Sequence, residues 1–248
     1  MTPIPSTSTV LRTLLRADML TQWRNRRAFL LSLLVPVVIL ISWKSLVDKM
    51  GAAYALSTSI TIGVAASCLI GYSNAIARDR DKGVFQRLRV APVPAWTVMG
   101  SRLIVQLITI LITTIAVYLV GFYVDHIQIT LQGYLLGLVA ALTAALVYLC
   151  LGQMIVGLIK NPETVNSTTR LVYLVFIMVG LFGEMGALGN DMKVVTQWSP
   201  YGTVKRVLGA SMQPGAWNTG VTQAILVAVG YALVFAAVGI KKFRWDSR

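Results

Sequence analysis

The sequence predicts an all-α membrane protein with six transmembrane helices, an N-terminal interfacial amphipathic helix and a short cytoplasmic helix between the second and third spans. Three observations predict this fold class. Of 248 residues, 56% are hydrophobic and 12% are charged, about half the charged share of an average soluble domain. Several apolar runs exceed the roughly 18 residues that mark a membrane-crossing helix. Lys and Arg are concentrated in alternate connections between those runs, as topology requires. A soluble fold would have to bury several helices that are apolar all round, and the chain has too little polar sequence to cover them. The net charge of +13 follows from the basic connections and calls for no nucleic-acid partner.

The first element, residues 1–27, reads as a basic helix lying in the inner interface. Leu11, Leu15, Met19 and Trp23 recur at i+4 spacing, with Arg12, Arg16 and Arg24 displaced around the helix, the pattern of an interfacial helix. Its cations are spread from Arg12 to Arg27 rather than placed before a short apolar core, so a cleavable signal peptide is not expected. Residues 28–248 read as a single six-helix domain, with spans at 28–47, 54–77, 103–124, 133–159, 171–190 and 221–240. The first span carries Pro36 near its middle, a kink that neighbouring helices can absorb, and Lys44 near its outer end, where a lysine snorkels to the interface. The second, third, fourth and sixth spans are free of charge, and the fifth holds one acid, Glu184.

Counting cations by side sets the orientation. Seventeen of the 22 Lys and Arg residues fall in residues 1–27, 78–102, 160–170 and 241–248, whereas Lys44, Lys49, Lys193, Lys205 and Arg206 fall on the other side. This asymmetry puts both termini in the cytoplasm and the protein, multi-pass, in the cell (inner or plasma) membrane.

Several kinds of chemistry have little to stand on. Cys68 and Cys150 lie within apolar runs and His126 is the sole histidine, so neither a disulfide framework nor a metal site is indicated and both cysteines read as packing residues. No HExxH motif, paired intramembrane carboxylates or Ser–His or Cys–His set is present. A pore would show rings of polar or charged residues, and an ion-coupled carrier would place ionisable groups near the midplane. Glu184 alone offers itself for that role. It sits in the Gly-rich run Gly180–Gly189, which permits a break or a re-entrant turn and leaves the acid either at the outer water interface or on a substrate route. The chain has no Gly-Lys-Ser/Thr loop to cradle a phosphate. Energy would therefore come from a partner pressing on a rigid cytoplasmic element.

Residues 78–102 have the chemistry for such an element. Asp79 and Asp81 near the start of a short helix, with Arg87 and Arg89 near its end, would complement the helix dipole. Val84, Phe85 and Leu88 supply apolar knobs for a groove on a partner, and Pro92 and Pro94 stop the helix.

Arg78, Asp79, Asp81, Gly83, Arg87, Leu88, Pro92, Gly100 and Arg102 also fall in register with the inner loop of the ABC-2 type permeases. That loop typically reads Arg-Glu-x-Glu-x-Gly-Thr-x-Glu-x-Leu, then Pro, then a Gly and a basic residue. Here Asp replaces both early Glu residues, Val84 replaces Thr, and Gln86 replaces Glu, which removes one salt bridge. Ser199–Leu208 is similar to the Pro-containing outer segment of drug-exporting members. The resemblance implies the membrane subunit of an ATP-binding-cassette exporter, with Arg78, Asp79, Asp81, Gly83, Val84, Phe85, Gln86, Arg87 and Leu88 forming the coupling helix that sits on the ATPase. It further implies two copies of a separate ATPase subunit, which would bind ATP and Mg2+, and a second permease copy in a homodimer. This chain would then be a transport subunit with no cofactor or catalytic site of its own.

The apolar spans suit drug-like, antibiotic, peptide or lipid-like cargo, and hence efflux and resistance. Tyr72, Asn74, Met154, Tyr173, Phe176 and Glu184 are candidates to line the route; packing within the bundle is the plain alternative for each. Asn74, Gln106 and Gln153 are intramembrane amides that need partners. Gly133, Gly137, Gly152 and Gly157 offer close-packing faces, within the chain or between two copies. The alternatives are a polysaccharide or glycolipid exporter, an ion-coupled secondary transporter, and a membrane scaffold or sensor subunit that transports nothing.

Overall fold

A computed structural model describes residues 6–89 and 94–243. The first helix, α1 (Thr7–Arg24), is capped by Ser6, whose hydroxyl accepts from the Thr9 amide. Leu11, Leu14, Leu15 and Asp18 form its half-buried face, laid against α7 (Ala95–Tyr123), where Ser101 donates to the Asp18 carboxylate at 2.5 Å. Met19, Leu20 and Trp23 remain exposed. A bend of 63° separates α1 from the apolar helix that follows, α2 (Arg26–Ser42), and the rings of Trp23 and Phe29 meet across it at 5.9 Å. Pro36 inside α2 has no N–H to give the Ser32 carbonyl, and the neighbouring span ties itself to the kink, Ser59 donating to the Pro36 carbonyl at 2.5 Å.

After α3 (Lys44–Met50) the chain turns at Gly51 into the most buried span. It runs unbroken from Ala52 to Asp81 through α4 (Ala52–Ala65), a π-helical stretch at Ala66–Tyr72, and α5 (Ser73–Asp81). Ser57, Thr58, Ser59, Thr61, Ser67 and Ser73 are all buried along it. In lipid, helices gain little by hiding apolar surface from one another, so small side chains that permit close contact carry the packing. Several of these hydroxyls satisfy themselves on the preceding turn, as Thr58 does on the Tyr54 carbonyl and Thr61 on that of Ser57.

The short helix α6 (Val84–Arg89) leads towards α7. Then follow α8 (Leu131–Leu158), α9 (Pro162–Glu184), α10 (Asn190–Trp198), α11 (Pro200–Met212) and α12 (Thr219–Lys242). Helix α8 is central: it packs on α4, α7, α11 and α12, and Ala140, Ala141, Ala144 and Ala145 make one of its buried faces. Where α8 meets α12 the backbones nearly touch, since a Cβ on Gly157 would lie 2.9 Å from the Gly239 carbonyl oxygen. Gly133, Gly137 and Gly152 likewise face Met212, Tyr118 and Ser73 of the same chain, so the close-packing faces are used within the chain.

Among the described residues five helices are long and apolar enough to cross a bilayer, and a sixth span arises if α1 and α2 are taken as one bent pair. The expected boundaries move at several places. The third span begins at Ala95 rather than 103, because Pro94 caps it and Thr97 donates back to the Pro94 carbonyl; Gly100, Ser101 and Arg102 are therefore helical. The fifth begins at Pro162 rather than 171, where Asn161 accepts from the Glu163 and Thr164 amides and Pro162 occupies the first turn. It ends at Glu184, before the left-handed Gly186 and Gly189. The largest departure is α11, expected as an outer segment. Its residues Pro200–Lys205 are all buried, and it packs against α4, α8 and α12. With α10 it forms a helical hairpin that re-enters the bundle between the fifth and sixth spans.

Candidate functional site

Two clusters of charge lie at opposite ends of the long span Ala52–Asp81. At its C-terminal end the chain reverses through Lys82 and Gly83. Gly83 has φ +67°, a conformation that favours glycine. Helix α6 follows at once. Phe85 is 0% exposed; its ring meets Phe243 edge-on at 5.9 Å and lies under the Arg102 guanidinium, 5.5 Å from ring centroid to carbon. Arg102 also pairs with Asp79, tying the end of α5 to the first turns of α7. Arg80 is 3% exposed and donates to the carbonyls of Val156, Ile159 and Lys160 at 2.7–2.8 Å. These oxygens lie at the C-terminal end of α8, where orphan acceptors and the helix dipole both favour a cation. Arg87 donates to the Lys82 carbonyl at 3.0 Å. Among the described side chains, Arg78, Asp81, Lys82, Gln86 and Arg87 are exposed and Val84 is half-buried.

Two expectations about this loop are corrected. Asp79 and Asp81 do not start the short helix; they fall in the last turn of α5, because the second span continues past 77. No acid stands in the first turn of α6, so the dipole argument fails there. Phe85 is not an outward knob. It anchors α6 to the bundle, since burying a large ring under the loop holds the helix more firmly than exposing it. The side chain of Leu88, and all of Pro92, lie outside the described residues.

Mid-bundle amides find partners on neighbouring helices. Tyr72 donates to the Gln153 carbonyl oxygen at 3.0 Å, Asn74 to that of Asn166 at 3.1 Å, and Gln106 to Ser67 at 2.7 Å. Each bond joins two different spans and leaves no amide to be satisfied by lipid. Met154, Tyr173 and Phe176 pack, partly buried, against the core, and Met178 is exposed. Tyr72 and Asn74 thus tie spans together, and Met154, Tyr173 and Phe176 serve the packing of the bundle.

The second cluster lies at the N-terminal end of α4. Lys205, counted in the sequence as an outer cation, is 4% exposed and pairs with Glu184. Its ammonium stands 3.6 Å from the centroid of the Tyr54 ring and 6.0 Å from that of Tyr201, and the Tyr54 hydroxyl donates to Glu184 at 3.4 Å. A buried ion pair needs such extra partners to offset its desolvation. The pair borders a cavity of about 470 Å³ that Lys193, Gln197, Arg206 and Asn218 also line, within the size range of ligand sites. Of the six expected route residues, Glu184 is the one that lines this cavity.

Sequence reasoning missed two of these groups. Arg80 was one cation among six in a basic loop, with nothing to mark it as buried. The partnership of Lys205 with Glu184 joins residues 21 positions apart and depends on α11 re-entering the bundle. One signal did point to it: a lone acid in an apolar span requires a partner.

The sequence profile of the ABC-2 type transporter family matches residues 9–201. No curated protein matches the chain. The matched region takes in α1, the loop helix and the spans up to the start of α11, and it joins an all-helical, multi-pass architecture to a fastened loop between the second and third spans. The chain belongs to the ABC-2 type transporter family, and is thus a transport permease of a kind that normally works with an ATP-binding-cassette ATPase.

Proposed function

We propose that the chain is the permease half of an ATP-driven exporter, moving drug-like, antibiotic, peptide or lipid-like molecules out of the cytoplasm with ATP hydrolysed by a separate subunit. The observation that carries this reading is the mounting of α6. Phe85, buried, seats α6 on Arg102 of α7 and on Phe243, while Arg102 paired with Asp79 and Arg80 bound to the end of α8 fasten the end of α5, from which α6 follows at once. A push on that helix is passed to α5 and α7 directly and, through Arg80 of α5, to α8. Its exposed Lys82, Gln86 and Arg87 offer a polar contact to an ATPase, and Arg78, Asp79, Asp81, Gly83, Val84 and Leu88 complete the coupling element.

The remaining assignments follow from this reading. The cation asymmetry favours a cytoplasmic loop end, with both termini on that side, in the cell membrane. The exposed Met19, Leu20 and Trp23 beside the 63° bend suit α1 to the inner interface, ahead of a single six-helix domain. Two permease copies and two ATPases make the working complex, a homodimer being the simplest. ATP and Mg2+ belong to the ATPase. The likeness of Ser199–Leu208 to drug-exporting members favours small amphipathic cargo over polysaccharide or glycolipid.

The test is purification of the chain with an ATP-binding-cassette ATPase and measurement of ATP hydrolysis with and without added amphipathic drugs in proteoliposomes. Drug-stimulated hydrolysis that requires both proteins supports the reading. Transport by the permease alone, driven by a pH gradient, would identify an ion-coupled carrier and overturn it.

A further inference from the structure

The cavity at the end of the bundle opposite α6 has an unbalanced lining. Lys193, Lys205 and Arg206 supply three cations against one acid, Glu184. Lys205 and Glu184 neutralise each other in the ion pair, and the Tyr54 hydroxyl takes up a further lone pair of Glu184. Among the described residues neither Lys193 nor Arg206 has a carboxylate partner.

The placing of Arg206 adds an independent observation. Its guanidinium lies against the first turn of α12: a Cβ on Gly220 would meet Arg206 Nη2, with the Arg206 guanidinium carbon 3.1 Å away. A helix N-terminus carries partial positive charge and repels a cation. A half-buried arginine held there, with Lys193 lining the same cavity, is a combination that a bound anion would relieve. The amides of Gln197 and Asn218 in the same wall bring neutral hydrogen-bonding groups to the same space, and Ala53, Ala210 and Val221 give it an apolar side.

We propose that this cavity binds the anionic head of an amphipathic molecule, a carboxylate or a phosphate monoester or diester, with Arg206 and Lys193 as its direct cationic contacts. Lys205 and Glu184 do not supply the binding charge; they hold α11 against α9 so that Arg206 faces the cavity. Charge-assisted bonds to phosphate or carboxylate are the strongest available to these side chains, and guanidinium offers a planar fork matched to either group. The apolar wall takes the first carbons of the tail. Two sources carry this chemistry, an anionic lipid headgroup and a free amphipathic anion. The inference concerns what the cavity holds and stands apart from ATP-driven transport.

The experiment titrates the full-length chain, without any ATPase, in phosphatidylcholine nanodiscs. The probes are dodecyl phosphate, dodecanoate and dodecyltrimethylammonium, which share a tail and differ in charge. Binding is followed by native mass spectrometry and by the shift in thermal unfolding. The anionic probes are expected to bind about tenfold or more tightly than the cationic one, and Arg206→Gln with Lys193→Gln to remove about that factor. Both variants leave the ion pair intact, and an unchanged unfolding temperature without probe shows that the fold is retained; Arg206→Lys restores part of the loss. Phosphatidylglycerol in the nanodisc that displaces dodecyl phosphate identifies a lipid headgroup as the natural occupant, whereas tight dodecyl phosphate binding unaffected by phosphatidylglycerol identifies a free amphiphile. Equal binding of anionic and cationic probes, or anion binding undiminished in the double variant, overturns the proposal. Because no ATPase takes part, failure here leaves the exporter reading intact, and loss of ATP-driven transport leaves this one intact.

Discussion

The two ends of the bundle are built from the same three parts, a cation, a carboxylate and an aromatic ring. At the loop end these are Arg102, Asp79 and Phe85; at the other they are Lys205, Glu184 and Tyr54. The difference lies in which part is sheltered. Phe85 is buried and the ion pair above it is half-open, with side-chain exposures of 18% for Arg102 and 28% for Asp79. At the opposite end the cation itself is inside, Lys205 at 5%, with its partner Glu184 at 21%. Ion pairs open to solvent contribute little to stability, whereas breaking a buried pair strands a charge. The buried Phe85 ring and the buried Arg80 bound to the end of α8 thus hold the loop end, leaving the exposed Lys82 and Arg87 available to a partner, and a hidden ion pair holds the far end.

The largest expected effect breaks that contrast directly. Glu184→Gln strands the Lys205 ammonium and should cost about 3–5 kcal/mol, while Asp79→Asn should cost about 1 kcal/mol or less. Replacing both partners, Lys205→Met with Glu184→Leu, should recover most of the loss. Reversible unfolding in detergent measures all three; equal costs for Glu184→Gln and Asp79→Asn would erase the distinction.

Next comes the ring. Phe85→Ala should destabilise by about 3 kcal/mol through the cavity it leaves and uncouple ATP hydrolysis from drug. Phe85→Leu should keep most of both. If Phe85→Ala unfolds like wild type, the ring does not anchor α6, and the loop end loses its defining feature.

The smallest effect on stability belongs to Arg87→Glu. This exposed side chain bonds to the Lys82 carbonyl, and its reversal should shift stability by about 0.5 kcal/mol or less. Drug-stimulated hydrolysis should nevertheless fall severely, since the charge facing the ATPase is inverted. A folded variant with full activity would show that the outward face of α6 is not the contact.

The same contrast explains what the sequence made legible. The loop is local: Arg78, Asp79, Gly83, Phe85 and Arg102 lie within 25 residues, and their spacing alone marked an element between two spans. The span count was legible for the same reason, as apolar length is a local property. Where reading went astray, the cause was long-range. Phe85 looked like a partner-facing knob because its pocket is made with Phe243, more than 150 residues away. Helix α11 looked like an outer segment because its burial depends on small residues elsewhere. Gly180 leaves room for Tyr201, and Gly183 for Thr196, so the hairpin can lie back on α9. Once it does, Lys205 moves from the list of outer cations to the interior. The positions of Asp79 and Asp81 shifted because the second span runs on to residue 81 through four charged residues, where the apolar signal that marks a span has already ended.

The central claim is that force enters through α6 and not at the cavity end. A photoreactive benzoylphenylalanine placed at position 87, with a control at position 191 on the exposed start of α10, tests it in the assembled complex. The account predicts crosslinking to the ATPase from position 87, changing in yield between nucleotide-free and ATP-bound states, and none from position 191. Crosslinking from position 191, or none from position 87 in a complex that still hydrolyses ATP in response to drug, would contradict it.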